Sequence, residues 1–212
     1  GFYWKSDDVQ LPNNYLTAEK RLKSSELMLK KKNLVEWAVS HHNQLIELGF
    51  AREATENDLF PSKPFKRINY VIGFVVVNNN KIPPKPRWVV DTACKHQGVS
   101  LNSALLKGRE NLVPLAQALF HFRERKFAVV ADVEKMFHQM SVNAEDQQCQ
   151  RYLWRDCDPT KPPKIFIYTA MLFGPTDSPS KANEVRILHA TNHADQFPSA
   201  SRAAIDSMYM DD

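Results

Sequence analysis

The spacing of apolar and polar residues predicts alternating helices and strands after an irregular start. Residues 1–15 are polar and aromatic without a clear period. From Thr17-Ala18-Glu19-Lys20 to Lys32 a Lys/Leu-rich stretch predicts an exposed helix, whose Lys30-Lys31-Lys32 run complements the negative end of the helix dipole. A second, core-packed helix is expected from about Leu34, with Leu34, Trp37, Ala38, Leu45 and Leu48 near one face and Gly49 as its stop. Residues 70–77 (YVIGFVVV), the turn residues Asn78-Asn79-Asn80 and residues 87–91 (RWVVD) predict a β-hairpin. Its tip and return carry Lys81, Lys85 and Arg87, cations that suit a bound anion and equally deter edge aggregation. Residues 112–122 read as a helix ending in the basic cluster 123–126. Residues 127–133 (FAVVADV) then read as an apolar strand broken by Asp132, and residues 165–172 (IFIYTAML) as another. In the loop FGPTDSPS that follows, Pro179 is placed to start a helix containing Asn183 and Arg186. The sequence closes on Asp211 and Asp212.

Composition narrows the class. The 212 residues are 43% hydrophobic and 25% charged, which is globular composition for one or two domains with a sizeable core. Six Gly and 13 Pro are too few for a collagen-like or low-complexity chain, and the longest apolar stretch, 70–77, is too short to cross a bilayer. No secretory leader pattern is present, and a start at Gly1 is what a piece of a longer polypeptide would show. Cys94, Cys149 and Cys157 form no CxxC pair and leave one over, so a reducing compartment is expected rather than a disulfide framework or structural zinc. The net charge of +4 divides unevenly. Residues 1–131 hold 20 Lys and Arg against 12 Asp and Glu, and residues 132–212 hold 8 against 12. A basic part beside an acidic one suits a protein that grips a polyanion with one surface and collects cations with another.

The acidic residues carry the candidate chemistry. A carboxylate in an apolar strand costs several kcal/mol, on the order of the penalty for a desolvated ion, unless it pairs with Lys or Arg or binds metal. Asp132 therefore needs one or the other. Successive strand residues face opposite ways, so Asp211 and Asp212 share a site only if the backbone bends there. Three carboxylates from two strands are what two Mg²⁺ ions about 3.5–4 Å apart require. His189 and His193 are spaced i, i+4, but Ala190 stands where the HExxH pattern has Glu; with His41, His42 and His138 they read as structural or surface residues. No GxGxxG or GxxxxGKS sequence occurs.

Asp132 with Phe137, the loop FGPTDSPS and the terminal YMDD (residues 209–212) resemble, in order, three palm motifs of reverse transcriptases. RWVVD, SLNSALLKG, ADVEKMFHQMSV, RYLWRD and MLFGPTDSPSKAN resemble the reverse transcriptase of Pao/Bel-type long-terminal-repeat retrotransposons in particular. The resemblance implies an α+β right-hand polymerase, with an antiparallel palm sheet and flanking helices. Residues 1–35 would be an N-terminal extension and residues 36–212 interleaved fingers and palm. It implies RNA-directed DNA synthesis from dNTP on an RNA or DNA template with a DNA primer. Two Mg²⁺ ions, or Mn²⁺ in their place, would be held by Asp132, the Val133 carbonyl, Asp211 and Asp212. Arg87, with Lys81 or Lys85, would contact phosphate; Phe137 would lie beneath the sugar and exclude a 2′-hydroxyl. Phe173, Gly174, Tyr209 and Met210 would complete the substrate-binding set. Asp177, Lys181 and Gly73-Phe74 depart from the family pattern. An intracellular, cytoplasmic retrotransposon particle, no membrane, and thumb and RNase H regions downstream follow from the same resemblance. Without it, Phe137 reads as a core side chain. The alternative functional reading is a truncated, catalytically silent module that binds nucleic acid through its basic half. An RNA-synthesising palm is disfavoured by Phe137, because such an enzyme must admit the 2′-hydroxyl.

Overall fold

The computed structural model describes residues 1–78, 80, 83–109, 112–124 and 126–209. Those residues form an α+β fold of eight α-helices and two small antiparallel sheets. Helices α1 (Tyr15–Lys31) and α2 (Val35–Glu47) lie where the periodicity predicted them. Ala18, Leu22, Ser25, Glu26 and Leu29 repeat at helical spacing along the buried face of α1, so this helix is packed on one side rather than solvated all round. Gly49 ends α2 in the left-handed region (φ 71°): its N–H donates to the Ile46 carbonyl, and that of Phe50 to the Leu45 carbonyl.

The chain continues through β1 (Ala51–Glu53) and α3 (Glu56–Leu59) to the predicted hairpin, β2 (Ile72–Asn78) and β3 (Lys85–Asp91). The hairpin register runs from Ile72 opposite Asp91 to Asn78 opposite Lys85. Then come α4 (Leu101–Ala104), α5 (Leu115–Arg123), a 3₁₀ turn at Met136–Gln139, α6 (Ala144–Gln147), β4 (Arg151–Trp154) and β5 (Lys164–Tyr168). Helices α7 (Ser178–Asn192) and α8 (Pro198–Asp206) follow. Strand β5 is central in the order β1-β5-β4, and a parallel bridge between Tyr70 and Arg151 sets the hairpin's entry beside β4.

The main core joins α1, α2, the hairpin and the three-stranded sheet, with Leu29, Ala38, Leu45, Val75, Leu105, Trp154 and Tyr168 in one cluster, and a smaller cluster of Phe137, Met140, Val142, Met171 and Ala182 packs the start of α7. Phe2 belongs to the main core as well, so the start of the residues read as an N-terminal extension packs into the main body. Polar ties reinforce the packing. The Asn14 side chain donates to the Asn69 side chain (3.0 Å) and the Tyr70 carbonyl (2.9 Å) and accepts from the Tyr70 N–H (2.8 Å). Arg155 grips Glu26 through two buried bonds of 2.8 and 2.6 Å, fixing α1 to the turn after β4. All three cysteines are free, and among the described residues no helix is long and apolar enough to cross a membrane.

Two expectations need correction, and one predicted helix forms without a buried face. Residues 127–133 form no strand: they pair with no described strand and are exposed, with Phe127 at 81% and Val129 at 87% of full accessibility, and among the described residues only the Val133 carbonyl is bonded, to the Met136 N–H. A strand is stable only as part of a hydrogen-bonded ladder, and none of the described strands pairs with this segment, so β-propensity alone does not fold it. Helix α5 forms, but none of its nine residues is buried. The predicted strand over 165–172 ends at Tyr168, where the ladder to β1 stops at Ala51. Two elements gave no usable pattern. Strand β4 is four residues long and buried throughout, and α8 is built mainly on Pro, Ser and Ala, with Ile205 its one large apolar residue.

Candidate nucleotide and nucleic-acid site

The loop between β5 and α7 is set by its own residues. Pro179 stands in the first turn of α7, as the sequence predicted, where its missing N–H costs nothing. Gly174 has φ +128°, and a Cβ there would lie 2.8 Å from the Val90 carbonyl oxygen and 3.1 Å from Thr92 Oγ1. Only glycine allows this approach, which lays the loop against the end of β3.

Phe137 comes to the same loop from the 3₁₀ turn, which Lys135 enters in the left-handed region (φ 51°). Its ring centroid lies 4.1 Å from that of Phe173, with planes inclined at 55°. Phe137 is 7% exposed and packs with Met140, Val142, Met171 and Ala182; Phe173 is 57% exposed. The core reading of Phe137 therefore holds, and its contact with an open aromatic joins the segment after Asp132 to the loop FGPTDSPS.

The cationic ribbon lies on the same hairpin. Trp88 and Val90 pack against the core, while Lys85 and Arg87 are exposed and alternate with them along β3. Arg87 is three residues from Val90, roughly 10 Å along the strand from the Gly174 contact. Gly73, a departure from the family pattern, has a local cause: a Cβ there would meet the Trp88 indole at 2.3 Å.

The acidic residues are less assembled. Asp132 is exposed in the unpaired segment and has no hydrogen bond or ion pair among the described residues. Val133 lines an apolar cleft with Met136, Val185, Phe197 and Met208, so the chain beside Asp132 and the chain just before Tyr209 share one cleft. Tyr209 is half-buried. Lys81, Met210, Asp211 and Asp212 lie outside the described residues. Among the described residues no three His, Cys, Asp or Glu side chains come together to hold a metal ion.

Asp177 and Lys181, the other departures, form a buried ion pair at 2.5 Å one turn apart on α7. Asp177 also accepts the Tyr3 N–H at 2.8 Å, and the Lys181 ammonium lies 4.6 Å from the Phe2 ring centroid and 4.8 Å from that of Tyr3. Burial pushes Lys181 below its ordinary pKa despite the adjacent carboxylate. Tyr3 is raised to about 12 by burial and by its hydrogen bond to Glu184. Asp146 holds the same N-terminal segment through the Phe2 N–H (2.7 Å) and the Trp4 indole N–H (2.8 Å). The pair thus straps residues 2–4 to the helix behind the loop. Charges where the resembled family has small or neutral residues were its one sequence signal; its partner at the far end of the chain was not legible.

The histidines lie in the packed body or at the surface, with His189 and His193 exposed. His42 is buried against Trp154 (4.7 Å, 14° between planes) and Phe166, both ring nitrogens lack a partner, and burial lowers its pKa to about 4. His138 stacks on Phe50, and His189 and His193 lie 4.3 Å apart on α7 with no acidic companion among the described metal-ligating groups. In comparison with known proteins, no family model and no curated protein matches the chain.

Proposed function

We propose that the chain is the fingers and palm of an RNA-directed DNA polymerase similar to those of Pao/Bel-type retrotransposons, transferring a nucleotide from dNTP to a primer 3′-hydroxyl. The contact of Phe137 with Phe173 carries the reading. Two segments that resemble separate polymerase motifs converge beside a hairpin whose exposed face bears Lys85 and Arg87, and the chain next to them is joined by the Ser141–Ala170 bridge and the bond from the Met171 N–H to the Met140 carbonyl. The cleft shared by Val133 and Met208 supports it, since it links the segment of Asp132 to the approach of Asp211 and Asp212.

In this reading Arg87 presents a planar fork to phosphate oxygens and Lys85 a point charge. Gly174 lets backbone approach the nucleotide or template, and Phe173 offers an open aromatic face on which a base stacks. Phe137 closes the space beneath the sugar. Magnesium suits the hard oxygen donors implied here, with Asp132, exposed and unpaired, available to it and the Val133 carbonyl, Asp211 and Asp212 as the remaining donors. When bound it supplies charge neutralisation at the phosphates and activation of the attacking hydroxyl.

A second reading, nucleic-acid binding without catalysis, is favoured by one observation: residues 127–132 pair with no described strand, and no hydrogen bond among the described residues fixes the Asp132 side chain. Binding and catalysis separate the two. Fluorescence anisotropy with a labelled RNA–DNA primer–template should show binding that weakens linearly in log–log form with salt, and added dNTP should tighten it. Binding without a dNTP effect supports the silent module, and no binding at low salt overturns both.

A further inference from the structure

The loop that brings Phe173 to Phe137 is held from the outside by one side chain. The Asn102 amide nitrogen donates to the Gly174 carbonyl at 3.0 Å, and its amide oxygen accepts the Thr176 N–H at 3.0 Å. Among the described residues these are the hydrogen bonds that tie residues 173–176 to a distant part of the chain; the only other one there, from the Ser178 N–H to the Pro175 carbonyl, is local. Two bonds from one planar amide fix the orientation of the loop as well as its distance, as a single bond cannot.

Asn102 is itself rigidly mounted. It sits on α4, where Ser100 and Ser103 cap each other reciprocally, with bonds of 3.1 Å to the Ser103 N–H and 2.9 Å from the Ser100 N–H. Leu101, Ala104 and Leu105 around it are buried, and the Asn102 N–H donates to the Thr92 carbonyl at 3.0 Å, just past β3. Thr92 Oγ1 also lies against Gly174, a little farther off than the Val90 carbonyl oxygen. The hairpin end, α4 and the loop are therefore one bonded unit, and Asn102 is the side chain that spans it.

We infer that Asn102 is a positioning residue for nucleotide binding: by gripping Gly174 and Thr176 together it sets where Phe173 stands against Phe137. The inference rests on the proposed polymerase reading. It concerns a residue outside the resembling acidic motifs, and its physical basis is the double bond to loop backbone. An Asn presents a donor and an acceptor; Asp keeps only the acceptor for the Thr176 N–H and turns a negative oxygen toward the Gly174 carbonyl; Leu, of similar volume, supplies neither.

The test uses Asn102→Asp and Asn102→Leu in the full chain, with two readouts. The Thr176 amide should exchange with solvent about tenfold faster in Asn102→Leu and near the parent rate in Asn102→Asp, because only the latter retains the acceptor. Both variants should bind dNTP, in the presence of primer–template, about three- to tenfold more weakly, since both lose the Gly174 contact; primer–template affinity itself should be unchanged. A general loss of fold would instead lower all affinities and speed exchange throughout the chain, and would overturn the positioning role. Equal Thr176 exchange in the parent and both variants would overturn the clamp. Altered exchange with unchanged dNTP affinity would also overturn the positioning role, leaving the polymerase reading intact. A parent chain that protects Thr176 but binds no dNTP takes the polymerase reading down, and the inference with it.

Discussion

Replacing Phe137 by Val separates its packing role from the proposed sugar gate, because packing and sugar selection respond to different measurements. The ring is 7% exposed among Met140, Val142, Met171 and Ala182, so its loss leaves a void on the inner side, while the open Phe173 ring, 4.1 Å away, is free to follow on the outer side. Full truncation of a buried Phe to Ala costs about 3–5 kcal/mol. With two methyls retained and partial collapse by Phe173, a loss of about 2–3 kcal/mol is expected for Val. For a chain of this size that lowers the melting temperature by roughly 4–12 °C. If the ring also closes the space beneath the sugar, relief of a clash should raise ribonucleotide use relative to deoxyribonucleotide, since discrimination by exclusion is lost when the excluding group is removed. The assay is a melting curve on the chain together with single-nucleotide extension, using matched rNTP and dNTP, by the chain joined to the thumb region that the polymerase reading implies. A lowered melting temperature with an unchanged rNTP/dNTP ratio would refute the gate and leave Phe137 as core. An unchanged melting temperature would refute the packing argument.

The remaining predictions concern buried charge. His42 has a folded pKa of about 4, below the ordinary value of 6.5, so unfolding takes up a proton between those values and stability should fall as pH drops from about 6.5 to 4. His42→Phe should flatten that part of a denaturation-midpoint profile, though not all of it, because burial also lowers His41 and His138; an unchanged slope would show that His42 is not held neutral. Lys181→Met leaves Asp177, fully buried, without its cation and should destabilise by about 3–5 kcal/mol. The double variant with Asp177→Asn should recover most of that by chemical denaturation, since an Asn there still accepts the Tyr3 N–H; no recovery would refute the strap.

Sequence patterning identified the elements whose burial has a period. The hairpin follows from residues 70–77 and 87–91, and α1, α2 and the start of α7 follow from apolar spacing, Gly49 and Pro179. The same logic failed at residues 127–133, where β-branched residues promise a strand but no described strand offers a ladder. It failed at β4 because four consecutively buried residues have no alternation. At the candidate site, Phe137 and Gly174 were legible from motif order, whereas Asn102, Tyr3 and Asp177 act through contacts with backbone distant in sequence. Such contacts leave no local pattern.

Primer extension tests the polymerase reading most directly. In the polymerase reading the chain, joined to the downstream thumb region that the resemblance implies and given an RNA template, a DNA primer and dNTP with magnesium, should extend the primer, and Asp132→Asn should abolish extension while leaving primer–template affinity within about twofold, because affinity comes mainly from cationic contacts to phosphate. Extension that survives Asp132→Asn, or a parent protein that binds primer–template and never extends it, would contradict the account.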